Sequence, residues 1–273
     1  MKTIDKNIYI PYGLEIEMES VDFIQTKRML KSKINDTWIV GDDETLDDRG
    51  VELTSPKLNN DFETLIMLEK ISKTLMFLNP TFNNCSLQIN LNADFLDNSD
   101  IQYLLKIFSI YENIIYRFST GIDEKIRDCY RDYAIPIGKL FTERYYFWGM
   151  STNSYYRLIN NKKYALSLKT LTRAKDDPIK VIEFRTSNGT VDFNLWMNYV
   201  VFFSSFMTMI RKRKYDKKII DKSFSKLKLI NSLDKLLEID ESKAREFADL
   251  IYISEDEKNR FYSQYFEKKI LKR

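Results

Sequence analysis

The chain has 273 residues, a formal net charge of +3 and no histidine. The lack of histidine excludes serine–histidine and cysteine–histidine catalysis and histidine-ligated zinc, so any catalysis must rest on carboxylates, amides, lysines, arginines and tyrosines. The charge is too small to indicate a nucleic-acid-binding protein by itself, and a composition with 44% hydrophobic residues, 7 glycines and 5 prolines excludes wholesale disorder.

The N-terminal residues MKTIDKNIYIPYG lack the apolar core of a signal peptide. No later stretch approaches the ~20 apolar residues that span a bilayer. Cys85 and Cys129 show neither a metal-ligand spacing nor a disulfide framework, which agrees with a reducing compartment. We therefore expect a cytoplasmic protein without a membrane span.

The first part of the chain alternates predicted strands with predicted helices. A strand in IYIPYGLEIEMES precedes a helix from about Asp22 to Lys33, and strands follow at TWIVG and GVELTSP. A second helix should occupy residues 61–78, with Asn60 or Asp61 as its N-cap. The alternation in SLQINLN predicts a further strand.

The remainder of the chain becomes increasingly helical. Residues 101–118 read as one helix, and residues 119–161 are irregular and rich in tyrosine and arginine, which is typical of a binding loop. Strands are predicted at YALSLKTL and KVIEFRT, and only helices beyond Asp192. This order predicts an α+β domain over residues 1–210 and a basic helical extension over residues 211–273 that packs on it.

Polar side chains recur at every second position in four of the predicted strands. They are Glu15 and Glu17, Glu52, Gln88 and Asn90, and Glu183 with Arg185. Because strand residues two apart share a face, neighbouring strands would gather these groups together. Clustered carboxylates suit Mg²⁺ or Mn²⁺, and Arg185 suits a metal-bound phosphate. The same alternation also fits a sheet with one solvated face, and periodicity alone leaves both interpretations open.

Six motifs in order resemble those of the amidoligase family, a group of carboxylate–amine ligases related to glutamine synthetase and glutamate–cysteine ligase. They are YGLEIEME, WIVGDDETL, GVELTSPKL, CSLQINLN, KYALSLKTL and VIEFRTSNGTVD, and they extend from about Tyr12 to Asn198. The resemblance implies a mainly antiparallel sheet of the glutamine synthetase-like catalytic type with flanking helices. It also implies ATP-dependent formation of an amide or isopeptide bond through an acyl-phosphate, with Mg²⁺ (or Mn²⁺) as cofactor.

The resemblance also implies roles for particular residues. The metal ligands would be Glu15, Glu17, Asp43, Glu52, Gln88 and Glu183. Arg185 would contact the transferred phosphate, and Asn90 would help to hold the nucleotide. The family usually has His/Xaa/His or His/Xaa/Asn where this chain has Gln88 and Asn90. An amide oxygen ligates a hard cation but is neutral and less basic than an imidazole nitrogen.

The irregular segment adds two candidates, Arg144 and Arg157, which lie among four tyrosines. Either guanidinium could hold a phosphate of ATP or a substrate carboxylate through a bidentate fork. The alternative is that the tyrosines pack and the arginines are solvated.

The leading interpretation is an ATP-dependent ligase that joins a carboxylate substrate to an amine or peptide acceptor. A catalytically impaired binding or regulatory protein with the same fold is the first alternative, and a phosphotransferase that makes no amide is the second. The basic run RKRKYDKK at residues 211–218 could meet nucleic acid or another acidic partner. Acidic residues interrupt the run, which favours a solvated helix face instead.

Overall fold

The structure is a computed structural model that describes residues 10–31, 37–43, 46, 50–123, 125–127, 129–142, 163–172, 180–227 and 232–271. The predicted loop residues Arg144 and Arg157 lie outside these ranges.

One six-stranded antiparallel sheet organises the described part of the chain. Its strands are β1 Tyr12–Met18, β2 Ile39–Asp43, β3 Gly50–Thr54, β4 Ser86–Asn92, β5 Leu166–Ser167 and β6 Val181–Asn188. They lie in the order β2-β3-β1-β4-β6-β5, so strands distant in sequence become neighbours. The predicted mixture of helices with a mainly antiparallel sheet is confirmed.

Helices connect the strands and continue beyond the last one. They are α1 Phe23–Lys31, α2 Phe62–Met76, α3 Asn98–Ile110, α4 Glu112–Ser119, α5 Tyr130–Tyr133, α6 Gly138–Thr142, α7 Phe193–Arg211, α8 Lys217–Phe224, α9 Leu233–Leu237, α10 Glu241–Ile251 and α11 Glu255–Phe266. Asp61 caps α2, as the sequence predicts, because its side chain accepts a hydrogen bond from the backbone N–H of Thr64.

Strand β1 has one apolar and one polar face. Leu14, Ile16 and Met18 are fully buried, whereas Glu15 and Glu17 are half-buried. On β6, the ring of Phe184 stacks on Phe203 of α7 with centroids 4.3 Å apart. Helices therefore cover the apolar face of the sheet, which leaves the glutamates on the opposite face.

Two predicted elements differ in the structure. Residues 101–118 form parts of two helices, α3 and α4, because the chain departs from helical geometry at Tyr111, whose ring stacks on Phe247 of α10. The predicted strand YALSLKTL contains only the two residues of β5. The hydroxyl of Thr170 donates to the backbone oxygen of Val181 at 2.6 Å and accepts from its N–H at 2.9 Å, so a side chain replaces the backbone partner.

The helices after residue 211 pack on the helices that cover the sheet. Phe261 of α11 stacks on Phe118 of α4 with centroids 5.3 Å apart, and Lys268 donates to the backbone oxygen of Arg117 at 2.8 Å near the end of α4. Within the basic run, Arg213 pairs with Asp97 and Asp100. The domain boundary at residue 210 stays a prediction.

Among the described helices, only α7 is long and apolar enough to span a membrane by the measures of length and composition. Its most apolar window is 83% buried inside the protein. The core helix of a globular domain has the same character, so this is weak evidence for a span.

Candidate functional site

The strand register brings the polar residues of β1, β3, β4 and β6 together. Three pairs lie opposite one another, Glu15 with Gln88, Glu17 with Glu52, and Asn90 with Glu183. Residues that oppose each other in an antiparallel pair project from the same face. The four polar segments that the sequence places on separate strands therefore share one surface.

A chain of hydrogen bonds crosses this surface from β1 to β6. Gln88 donates through Nε2 to Oε1 of Glu17 at 2.8 Å, and its Oε1 accepts from Nη1 of Arg185 at 2.7 Å. The same Nη1 pairs with the carboxylate of Glu183. Gln88, expected as a metal ligand, thus has its amide oxygen engaged by Arg185. This hydrogen bond uses one of the two lone pairs of the amide oxygen, which leaves one for a metal.

Three further hydrogen bonds are donated to the carboxylates of this surface by neighbouring groups. Asn90 donates through Nδ2 to Oε1 of Glu15 at 2.7 Å. The backbone N–H of Ser86 donates to Oε2 of Glu17 at 2.6 Å. The hydroxyl of Thr54 donates to Oε1 of Glu52 at 2.9 Å. These bonds restrict the rotamers of the carboxylates before any ligand binds.

Three carboxylates form a compact acidic cluster on β1, β2 and β3. One oxygen from each of Glu17, Asp43 and Glu52 lies within 4.8 Å of the other two, and all three residues are half-buried. Asp43 reaches the cluster because β2 pairs with β3, with Asp43 opposite Gly50. Carboxylates this close repel one another unless a cation lies between them, and an all-oxygen donor set suits Mg²⁺ or Mn²⁺. The residues present therefore fit a divalent metal ion.

Glu15 lies beside this cluster in a strongly perturbed environment. Burial, and then the negative charges of Glu183 and Glu52, raise the pKa of Glu15 to about 7, against the lowering effect of the hydrogen bond from Asn90. A cation at this position would favour the ionised carboxylate. The raised pKa thus follows first from burial and then from the neighbouring carboxylates, whose effect the charge of Arg185 only partly offsets.

A cleft of about 400 Å³ opens over the acidic cluster. Its lining comprises Glu15, Glu17, Asp42, Asp43, Leu46, Glu52, Asn84, Ser86, Gln88, Arg127, Cys129, Tyr133 and Arg185. Glu183 and Asn90 are not among the described residues that line the cleft. Glu183 contacts the lining residue Arg185, and Asn90 contacts the lining residue Glu15.

Sequence reasoning missed Arg127, Cys129 and Tyr133 of this lining. They belong to the segment between α4 and α6, where no periodicity predicts which side chains face the sheet. The backbone oxygen of Tyr133 accepts from Nε of Arg185 at 3.3 Å, so this segment forms a wall of the cleft. The tyrosine and arginine content, which indicates a binding loop, is the only signal available in the sequence.

A family model described as putative amidoligase enzyme matches residues 25–207. The chain belongs to this family. The match includes Asp43, Glu52, Gln88, Glu183 and Arg185 but begins after β1. A search of curated proteins found no match.

Membership confirms the resemblance that the sequence motifs carry, and the description of the family suggests an enzyme that forms amide bonds. Glu15 and Glu17 precede the matched region, so their link to the site rests on the motif YGLEIEME and on the register of β1 with β3 and β4.

Proposed function

We propose that this protein is an ATP-dependent carboxylate–amine ligase that makes an amide or isopeptide bond through an acyl-phosphate. The observation that carries the proposal is the acidic cluster of Glu17, Asp43 and Glu52, which is separated from Arg185 by the single amide of Gln88. Metal-binding carboxylates beside a fixed guanidinium suit a triphosphate, whose oxygens need neutralisation by both.

Two groups of residues would hold two Mg²⁺ (or Mn²⁺) ions. Glu17, Asp43 and Glu52 form the first group, and Glu15 and Glu183 contribute to the second. When bound, the ions would neutralise phosphate oxygens and orient the γ-phosphate for attack. The donated hydrogen bonds at Glu15, Glu17 and Glu52 would keep these carboxylates in position.

Arg185 would stabilise charge on the transferred phosphate. Its Nε and Nη1 are held by Tyr133, Gln88 and Glu183, and it is only 6% exposed. In the described part of the chain, these contacts leave Nη2 to donate to a phosphate oxygen. A guanidinium fixed by three partners needs little reorganisation as charge develops, which is the condition for strong electrostatic stabilisation.

The proposed reaction has two steps. A carboxylate oxygen of the substrate attacks the γ-phosphorus of ATP, the bond to the bridging oxygen breaks, and ADP leaves with the electron pair. An amine nitrogen then attacks the acyl carbon, the carbon–oxygen bond to phosphate breaks, and phosphate leaves while the amine proton passes to solvent. Activation makes the second step feasible because phosphate is a far better leaving group than hydroxide.

One observation favours the alternative of a catalytically impaired binding or regulatory protein. The amide oxygen of Gln88 already accepts from Arg185, so the residue that stands where the family usually has a histidine offers a metal only one neutral lone pair, a weaker ligand than imidazole. An impaired protein would bind the nucleotide without consuming it, or would not bind it.

The proposal is tested by calorimetric titration of ATP with and without Mg²⁺. Wild type should bind in a Mg²⁺-dependent manner, and Glu183→Ala and Arg185→Ala should weaken binding by about tenfold or more, because each removes a charge-assisted contact. Arg245→Ala is the matched control, since Arg245 pairs with Glu241 on the exposed surface of α10. Absence of nucleotide binding at millimolar ATP would overturn the proposal.

A turnover assay distinguishes a ligase from a phosphotransferase and from a catalytically impaired protein. Wild type that binds ATP should release ADP when a carboxylate and an amine from a screened panel are supplied together, and mass spectrometry should detect the amide. Phosphorylated product that persists in the presence of amines would identify a phosphotransferase. Nucleotide binding without ADP release across the panel would favour the impaired protein.

A further inference from the structure

A second cavity of about 750 Å³ lies beside the cleft. It is bounded by Thr120, Ile122, Asp123 and residues 125–127, by the end of β6 and by the start of α7. Arg127 lines both spaces, and the consecutive residues Asn83 and Asn84 line the second cavity and the cleft, respectively. The two spaces therefore share a thin wall, and its charged member is Arg127.

Arg127 is fixed in this wall by β6. It is 4% exposed, and its Nη1 and Nη2 donate to the backbone oxygens of Ser187 at 2.5 Å and Arg185 at 2.7 Å. Strand β5 pairs with β6 at Glu183 and Phe184, and the N–H of Arg185 donates to the backbone oxygen of Ala165 at 2.9 Å. Carbonyl groups two residues apart point to the same edge of a strand, so the guanidinium takes the place of a strand partner beyond the end of β5. The phosphate-contacting residue Arg185 is held by the same interaction.

Arg127 forms no ion pair among the described residues, although it lines the cleft that holds the acidic cluster. Its Nε makes no hydrogen bond there, and its Nη1 and Nη2 donate to neutral carbonyl oxygens. The neighbouring thiol of Cys129 does not compensate the charge, because burial raises its pKa despite the lowering effect of Arg127. A buried cation without an ion-pair partner is costly, and an anion in the adjoining cavity would relieve that cost.

The lining of the second cavity carries charges of both signs. Lys125 adds a second positive charge, and Asp123 and Asp192 supply two carboxylates. Ile122 and Leu195 add apolar surface to the lining. A ligand that matches this lining has a carboxylate, a cationic amino group and a short apolar body. The volume lies within the range of small-molecule sites, roughly 300–1,000 Å³.

We propose that this cavity binds a small zwitterion, with its carboxylate at Arg127 and Lys125 and its ammonium group toward Asp123 and Asp192. The shared wall would place that carboxylate next to the cleft, where it becomes the acid that ATP activates. The identification of the zwitterion as the acid substrate rests on the proposed function. Binding of the zwitterion does not.

Three probes test the two charges of the ligand separately. 4-Aminobutyrate carries both a carboxylate and an ammonium group, butyrate carries only the carboxylate, and butylamine carries only the ammonium group. Their binding to the full chain is measured by NMR titration without nucleotide or metal. Wild type should bind 4-aminobutyrate more tightly than either single-charge probe. Lys125→Gln and Arg127→Gln should weaken 4-aminobutyrate and butyrate, and Asp123→Asn should weaken 4-aminobutyrate and butylamine, each by about tenfold for a lost charged contact.

The control variant is Lys214→Gln, which alters a separate cavity of about 190 Å³ between α7 and α10 and should leave all three affinities unchanged. Lys125 and Asp123 are exposed, so their variants should fold even where Arg127→Gln does not. Equal binding of 4-aminobutyrate to wild type and to the Lys125 and Asp123 variants would overturn the proposal. So would the absence of binding to wild type at saturating probe concentration.

Repeating the titration with saturating Mg²⁺ and ATP distinguishes the two proposals. If Mg²⁺–ATP binds while the probes do not discriminate between variants, this inference fails and the proposed function stands. If 4-aminobutyrate binds through Asp123 and Lys125 while Mg²⁺–ATP does not bind, the proposed function fails and the cavity remains a zwitterion site.

Discussion

The amide of Gln88 keeps Glu17 and Arg185 apart by donating to the first at 2.8 Å and accepting from the second at 2.7 Å. The intervening amide replaces a direct ion pair between Glu17 and Arg185, so the carboxylate of Glu17 stays available to a cation, while the guanidinium pairs with Glu183 through Nη1 and keeps Nη2 for an anion. The departure from the family's usual histidine thus acquires a physical role in this chain. Arg185 needs an acceptor at this position, and a protonated or metal-bound imidazole cannot provide one.

Replacement of Gln88 by methionine tests this bridging role. Gln88→Met conserves most of the side-chain volume but removes the donor to Glu17 and the acceptor for Arg185. The free energy of unfolding should fall by about 1–3 kcal/mol, since buried partners lose hydrogen bonds. The affinity for Mg²⁺–ATP should fall by about tenfold as well.

The matched control is Gln264→Met. Gln264 is also fully buried, accepts from Asn198 at 2.9 Å and donates to the backbone oxygen of Phe118 at 2.9 Å, far from the cleft lining. Its loss should lower stability by a similar amount and leave Mg²⁺–ATP affinity unchanged. If both variants bind Mg²⁺–ATP like wild type, Gln88 has only a structural role.

The acidic cluster should make stability depend on divalent metal. Mg²⁺ that binds only the folded state raises the melting temperature of wild type. Glu52→Gln removes one of three carboxylates within 4.8 Å while keeping an oxygen that can accept from Thr54. We expect the variant to melt at a higher temperature than wild type in EDTA, because repulsion is relieved, and to gain less from Mg²⁺.

Differential scanning calorimetry with EDTA or with millimolar Mg²⁺ measures both effects. The exposed residue Glu241, whose partner is Arg245, supplies the control variant Glu241→Gln, which should respond to Mg²⁺ like wild type. An equal Mg²⁺-induced rise in melting temperature for Glu52→Gln and wild type would contradict the metal assignment.

Much of this site could be predicted from local sequence, because the alternation in YGLEIEM and SLQINLN fixes which side chains share a face. The order of the strands could not be predicted in this way, since β1 lies between β3 and β4, and β6 lies between β4 and β5. The family resemblance supplied that link by indicating which polar positions converge.

Other features depend on contacts that no local pattern encodes. Arg127 is buried because carbonyl oxygens of a strand about sixty residues later surround its guanidinium. The register of β4 with β6 also shifts between Leu87 and Ile89, beside Gln88, which no alternation predicts. Strand β5 is short because the hydroxyl of Thr170 engages the backbone of Val181. Each case is a side chain or a bulge that replaces a regular sheet interaction.

The raised pKa of Glu15 predicts a pH-dependent loss of stability in the absence of metal. Its folded-state pKa of about 7 lies above the ordinary value of 4.5, so the folded state binds the extra proton. The contribution of Glu15 to the free energy of unfolding is fully present below about pH 4.5. It is lost as the pH rises through 7, by up to about 3 kcal/mol. Glu15→Gln should remove this part of the pH dependence.

Urea unfolding of wild type and Glu15→Gln at pH 5, 6, 7 and 8 in EDTA measures the difference. Saturating Mg²⁺ should reverse the wild-type trend in this window, because the cation favours the ionised carboxylate. Parallel pH profiles for the two proteins in EDTA would show that Glu15 does not bind the proton.

Glu112 gives a second pH dependence that is separate from the cleft. Burial raises its pKa to about 8, although it accepts from the backbone N–H groups of Gly138 and Ile137 and lies near Lys243. By the same sign, its contribution to the free energy of unfolding is fully present below about pH 4.5 and is lost as the pH rises through 8, by up to about 5 kcal/mol. Glu112→Gln should therefore flatten the wild-type stability profile between pH 7 and 9, a range in which Glu15, with its pKa of about 7, is at least half ionised. Because this group lies far from the acidic cluster, Mg²⁺ should leave its effect unchanged, and a Mg²⁺-sensitive difference between Glu112→Gln and wild type would contradict this separation.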